Sequence, residues 1–223
     1  MKIVFFGDSI TDAWRYNLKS WIQGANIPTA DYYLESYGCG FVRDIAGELL
    51  SEDPLGYQIL NRGIGGNRVV DLYARVRADV WNEEPDLISI LVGINETPCP
   101  GNDYYLDEEQ FERVYRMLIE ETKARLPKVK MILCEPFVLR ADMDDARYEG
   151  LLNVRKKGKV VEKLAKEYDG IYYLPLWDML KEKAEKYGEK TVLIDGVHAT
   201  VAGAKWIAKE WLKLFETVKE NME

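Results

Sequence analysis

The chain is poor in the side chains that most often build metal and redox sites, with one histidine, His198, and three scattered cysteines, Cys39, Cys99 and Cys134. The cysteine count is odd, no pair has metal-ligand spacing, and no histidine lies nearby to complete a zinc site. A reduced, cytoplasmic chain without a metal site is the expectation. No run of about 18 apolar residues occurs, so no segment is expected to span a membrane. The apolar stretch before Gly7-Asp8-Ser9 is too short for a signal-peptide core. Positive charge is also in deficit, with 30 Lys and Arg against 38 Asp and Glu for a net charge of -8. Nucleic-acid binders concentrate Lys and Arg, so a polyanionic partner is disfavoured. The lysines that do cluster, in Arg155-Lys156-Lys157-Gly158-Lys159 and around Lys181 to Lys190, are interleaved with Glu and read as solvated helix faces.

What remains is a conventional globular composition. At 223 residues and 47% hydrophobic, the chain can bury one sizeable core, and residues 1–223 are expected to form a single domain. Short β-rich runs alternate with longer helical ones. Candidate strands are Lys2–Phe6, Tyr57–Asn61, Asp86–Val92, Lys130–Cys134 and Ile171–Leu174, each bounded by Gly, Pro, Asn or Asp. Between them, Phe41, Ile45 and Leu49 share one helical face, and Val69, Leu72, Val76 and Val80 another. Phe111 to Leu126 stripe a third helix that Asp107 and Gln110 cap, and Val201 to Val218 a terminal one behind Thr200. Strands separated by helices pair in parallel through right-handed crossovers, which predicts an α/β chain with a three-layer α/β/α sandwich and a five-stranded parallel sheet.

Ligands of such sheets bind beyond the carboxyl ends of the strands. Ser9 follows the first strand there, Gly66 the second and Asn95 the third, while Asp195 and His198 precede the last helix. A serine hydroxyl is a poor nucleophile near neutral pH, so a base must take its proton during attack on an ester carbonyl. His198 is the one histidine that can do so. A carboxylate three residues earlier in a turn can accept its Nδ1 proton and leave Nε2 facing the serine, which is where Asp195 stands. Each piece alone has a blander reading. Asp8 or Ser9 can simply cap the next segment, Gly63-Ile64-Gly65-Gly66 can be a strand-to-helix turn with Asn67 as its cap, and Asn95 can stabilise a loop. A dinucleotide loop is a weak reading, because the Gly-x-Gly-x-x-Gly spacing is absent.

Four blocks occur in order: Gly7-Asp8-Ser9-Ile10-Thr11, Asn61-Arg62-Gly63-Ile64-Gly65-Gly66-Asn67, Val92-Gly93-Ile94-Asn95-Glu96 and Asp195-Gly196-Val197-His198. Together they resemble the SGNH hydrolases, the GDSL-type esterases and lipases. The resemblance implies a flavodoxin-like SGNH hydrolase fold and no cofactor. It implies Ser9 as nucleophile, His198 as base, Asp195 as its orienting partner, and an oxyanion hole of Ser9, Gly66 and Asn95. One departure is Glu96, where the family pattern has Asp. The stretch 61–75 and the aromatic early loop look most like bacterial intracellular acetylxylan esterases, which implies O-deacetylation of xylo-oligosaccharides. The implied partner is a small-molecule ester, an acetylated oligosaccharide, with neither nucleic acid nor membrane. A lysophospholipase or thioesterase would use the same triad on longer acyl chains, and a noncatalytic sugar- or ester-binding module would use the scaffold without turnover.

Asp8, Trp14 and Arg15 flank the nucleophile and are candidate substrate contacts, with Asp12 and Arg15 set for a local ion pair. Trp14, Tyr16, Trp21, Tyr32, Tyr33 and Tyr37 crowd residues 14–37 without periodicity, either to stack on sugars or to pack the loop. Segments 97–105 and 139–150, the latter with Arg140, Asp142, Asp144, Asp145 and Arg147, follow other strand ends and are placed to close over substrate. Aromatics in 14–37 or near Trp206 and Trp211 are candidate surfaces for a homo-oligomer.

Overall fold

Strand β3 (Leu87–Leu91) is buried at every position, as expected of a parallel strand covered by helices on both faces. It lies at the centre of a sheet completed by β1 (Lys2–Gly7), β2 (Gln58–Gly63), β4 (Lys130–Cys134) and β5 (Ile171–Leu174). The computed structural model describes residues 1–15 and 34–222. All pairings are parallel and the strand order is β2-β1-β3-β4-β5, the flavodoxin-like order. Every expected strand is present, shifted by one or two residues at some ends. Strand β2 runs on to Gly63 because its register with β1 continues to Gly7.

Alternate residues of β1 feed two cores. Ile3 and Phe5 join the helices α2 (Phe41–Glu52), α7 (Trp177–Tyr187) and α9 (Val201–Glu220) on one face. Val4 and Phe6 join α3 (Val69–Asp79), α4 (Glu108–Arg125) and α6 (Val154–Glu167) on the other. The expected caps form: Asp107 and Gln110 make a reciprocal capping box at α4, and the Thr200 hydroxyl accepts the Gly203 N–H at α9. Val80 falls just beyond α3, with φ at -129° and its side chain still buried in the core.

Two expectations about surfaces are corrected. Trp211 has no exposed surface; it packs against Phe5 and Phe215, and its indole N–H donates to Ser89 Oγ at 3.0 Å. It is a core residue, so it offers nothing to a partner subunit. Lys157, in the basic run read as solvated, is only 1% exposed. Its stem packs beside Gly93 and its ammonium donates to Leu106 O at 2.6 Å, near the Phe111 ring. The charge pattern hid this because one buried lysine among exposed ones leaves the composition unchanged. No helix among the described residues is long and apolar enough to cross a membrane.

The strand ends carry the loops of interest. Gly7 and Gly63 end adjacent strands, and a Cβ on either would come within 2.4 Å of neighbouring atoms, on Leu91 and Thr11 for Gly7 and on Asp12 for Gly63. Glycine at both positions lets the turn after β1 seat tightly between its neighbours.

Candidate active site

Ser9 opens α1 (Ser9–Asp12), a single turn capped by Asp8, whose carboxylate accepts the Ile10 N–H at 2.9 Å. Its hydroxyl lies 2.9 Å from His198 Nε2, and His198 Nδ1 lies 2.7 Å from Asp195 Oδ2. Residues separated by nearly the whole chain thus form one hydrogen-bonded line. The Asp195 turn is built for this. Its other oxygen accepts the N–H groups of Val197 at 3.0 Å and His198 at 2.8 Å. Gly196, at φ +84°, brings its backbone so close to Leu139 that a Cβ would stand 2.2 Å from the Leu139 carbonyl. The Leu139 N–H in turn donates to Gly196 O at 2.8 Å, which pins the turn to the segment after β4.

The electrostatics follow from these contacts. Partial burial raises the Asp195 pKa, but the hydrogen bonds from the His198 ring, His198 N–H and Val197 N–H outweigh it and hold the carboxyl well below the ordinary range. The Asp195 hydrogen bond in turn raises His198 above the ordinary imidazole value, against partial desolvation.

Asp8 behaves in the opposite way. It is fully buried, its second oxygen has no hydrogen-bond partner, and burial pushes its pKa up to about 7. A side chain with no exposed surface cannot touch a substrate, so its placement among the substrate contacts is corrected: Asp8 caps the nucleophile's turn from beneath. Arg15 is partly exposed, and its Nε is engaged with the turn. Its Nε donates to Gly63 O at 3.0 Å and pairs with Asp12 at 3.1 Å, which fixes the turn to β2 and confirms the expected ion pair. Trp14 stays available, 73% exposed with its ring 5.7 Å from that of His198. Tyr37 is buried in the core, while Tyr16, Trp21, Tyr32 and Tyr33 lie outside the described residues.

Gly66 and Asn95 line the same cavity as Ser9, Asp195 and His198, a space of about 670 Å3. Gly66 adopts φ +77°, which favours glycine, and neighbouring Gly65 keeps the loop close to Ser9. Asn95 donates one amide N–H to Asn67 O at 3.0 Å; its amide carries a second. Next to it, Glu96 is wholly buried and accepts the Val69 N–H at 2.5 Å. Burial pushes Glu96 up to about 8, and its second oxygen has no hydrogen-bond partner. Residues 95 and 96 therefore staple the end of β3 to the loop carrying Gly66. Arg75 holds that loop from the other side, donating to Asn67 Oδ1, Arg62 O and Gly7 O.

Neither of these supports was assigned by sequence reasoning. Glu96 stood out only as a departure from a pattern, and Arg75 only as the last residue of the stretch 61–75.

The cavity's outer wall comes from the two segments expected to close over substrate: Asn102 and Tyr104 from one, and Arg147, on α5 (Asp145–Leu151), from the other. Arg68 joins them, tied to Asp71 and to Tyr104 O. A second, much smaller pocket of about 30 Å3 opens beside Ser9 and His198, lined by Ile10, Ala13, Trp14 and Phe41 among others. No group of three or more metal-ligating side chains occurs among the described residues.

Comparison with known proteins gives a consistent set. The sequence profile of the GDSL-like Lipase/Acylhydrolase family matches residues 5–206. An acetylxylan esterase of Geobacillus stearothermophilus is 32% identical over 221 residues, covering 95% of this chain and 92% of that protein. Among solved structures, a putative GDSL-like lipase from Parabacteroides merdae superposes with a TM-score of 0.82 at 30% identity, covering 95% of this chain and 94% of that one. The acetylxylan esterase Axe2 from Geobacillus stearothermophilus superposes with a TM-score of 0.76 at 30% identity, covering 95% and 92%.

Proposed function

The chain belongs to the GDSL-like lipase/acylhydrolase family, and on that premise we propose that it is a serine esterase removing O-acetyl groups from carbohydrates, with acetylated xylo-oligosaccharides as substrate. In this reading residues 1–223 act as one catalytic domain in the cytoplasm, where the free thiols of Cys39, Cys99 and Cys134 stay reduced. The observation that carries it is the line from Ser9 Oγ through His198 to Asp195, at 2.9 and 2.7 Å. Solved catalytic mutants of Axe2 replace a serine and an aspartate, the residue types that hold the two ends of that line here.

The steps follow from the geometry. Ser9 Oγ attacks the acetyl carbonyl carbon as its proton passes to His198 Nε2, and Asp195 stabilises the imidazolium through Nδ1. The negative charge that develops on the carbonyl oxygen is held by the backbone N–H groups of Ser9 and Gly66 and the second amide N–H of Asn95. Collapse breaks the bond to the sugar oxygen, which leaves with the proton from His198. Water, giving a proton to the same nitrogen, then attacks acetyl-Ser9; acetate departs and Ser9 recovers its hydrogen.

Pocket size supports a short acyl group. The small pocket beside Ser9, at about 30 Å3, has room for an acetyl methyl. The larger cavity has a mixed lining suited to a sugar, and Tyr104 there and Trp14 beside His198, 74% and 73% exposed, offer ring faces for stacking.

The test is kcat/KM for aryl acetate against aryl octanoate, with a Ser9→Ala blank. Strong preference for acetate is expected, followed by turnover of acetylated xylo-oligosaccharides; preference for octanoate would overturn the deacetylase reading.

A further inference from the structure

The large cavity holds more charged groups than the triad uses, and all but one are already satisfied. Both oxygens of Asp195 are committed to its own turn and to His198. Asp71 accepts from Arg68 through both oxygens, at 2.9 and 3.3 Å, and Arg68 spends its remaining terminal nitrogen on Tyr104 O at 3.0 Å. That leaves Arg147. Its backbone N–H caps onto Asp144 at 2.8 Å, but its guanidinium has no hydrogen bond or ion pair among the described residues. Three of the segment's acids are engaged as well: Asp145 pairs with Arg140, Asp142 with Lys190, and Asp144 accepts the Arg147 N–H.

The position of Arg147 is set by packing. Helix α5 sits so close to the facing loop that a Cβ on Gly150 would stand 2.3 Å from Pro98 O. The two walls approach each other at that glycine, and Arg147, exposed, lines the cavity from the same helix. It is also near enough to His198 to oppose the protonated ring, alongside Asp195 and Asp8, which favour it.

We propose that Arg147 is an anion subsite that takes the carboxylate of an acidic sugar unit adjoining the acetylated one. The inference rests on the carbohydrate deacetylase reading and names the kind of oligosaccharide within it. A planar guanidinium grips a carboxylate through two parallel hydrogen bonds. A single unpaired cation suits a monoanion; a phosphate dianion calls for a second, and Arg68 is already ion-paired with Asp71. The chain's net charge of -8 repels an acidic substrate at long range, so recognition falls to a local cation at the cavity wall.

The experiment compares two acetylated xylo-oligosaccharides, one with a glucuronic acid branch and the same one with its carboxyl reduced to the alcohol. The acidic form is expected to have about fivefold higher kcat/KM, an effect sized for an exposed charge pair. Arg147→Ala should bring the ratio to one, Arg147→Glu should invert it, and Arg147→Lys should keep part of the preference. The ratio is internal to each preparation, so partial misfolding of a variant does not distort it. Equal rates in the wild type, or a preference that survives Arg147→Ala, overturn the proposal. A parallel pair, 3-acetoxybenzoate and 3-acetoxybenzamide, separates the two readings. If the aryl acetates turn over and neither oligosaccharide does, the carbohydrate reading fails. The subsite then stands if the benzoate is preferred and Arg147→Ala removes that preference, and falls if it is not.

Discussion

Two carboxylic acids flank the reaction from opposite regions, Asp195 in the turn at the cavity rim and Glu96 in the floor beneath the oxyanion loop. Asp195 receives three hydrogen bonds, two from backbone N–H groups and one from the His198 ring. Those donors keep it ionised although it is partly out of water. Glu96 receives one side-chain hydrogen bond, from Val69, inside a fully buried setting and near another buried acid, Asp8. One donor does not offset the desolvation, and the carboxyl holds its proton up to about pH 8. The number of donors, more than residue type, decides which acid carries charge. The rim thus carries a charge that can stabilise an imidazolium, and Glu96 in the floor stays neutral up to about pH 8.

The harshest way to break that contrast is Asp195→Asn, which keeps the shape but removes the charge and can donate a hydrogen to His198 in the wrong tautomer. Turnover should fall by about 10^4-fold, as for the equivalent change in serine proteases. Asn95→Ala comes next. Loss of one oxyanion donor should lower kcat by about 10^2- to 10^3-fold with a much smaller change in KM; an equal loss in a ground-state binding assay would contradict the assignment.

Glu96→Gln should affect turnover least and report on the floor through stability. In the unfolded chain Glu96 ionises near its ordinary value of 4.5, whereas folded it does so only at about 8. The folded state binds more protons between those values, so this group's contribution to stability is full below about pH 4.5 and is lost as pH rises toward 8. Asp8 adds a similar loss between 3.8 and about 7. Glutamine keeps an acceptor for Val69 N–H and cannot ionise, so the variant's Tm should fall less than the wild type's from about pH 5 to about pH 9. Parallel curves would mean that Glu96 is ionised in the folded protein.

The same contrast explains what could be read from the chain alone. The strands were legible because all five are short apolar runs bounded by Gly, Pro, Asn or Asp, and α4 and α9 because their stripes start behind Asp107 and Thr200. Ser9, Asp195 and His198 stood out as reactive types on strand-end turns, and the structure brings them into hydrogen-bond contact. The floor was illegible. Nothing in Asp8 or Glu96 as letters reveals that each is sealed from water with an unpartnered oxygen. Burial of Lys157 likewise depends on what the neighbouring loop and helix supply, Leu106 O and the Phe111 ring, which periodicity along one helix does not encode. The free guanidinium of Arg147 became visible only once Asp145 and Asp142 were seen to pair with Arg140 and Lys190.

The most direct test of the account is to mix the Asp195→Asn variant, in which deacylation is slowed, with aryl acetate, quench early and map the peptides by mass spectrometry. The account predicts one acetyl group on the peptide containing Ser9, absent when Ser9→Ala is added. Acetate release at an undiminished rate from the Ser9→Ala protein, or an acetyl group accumulating on another residue, would contradict it.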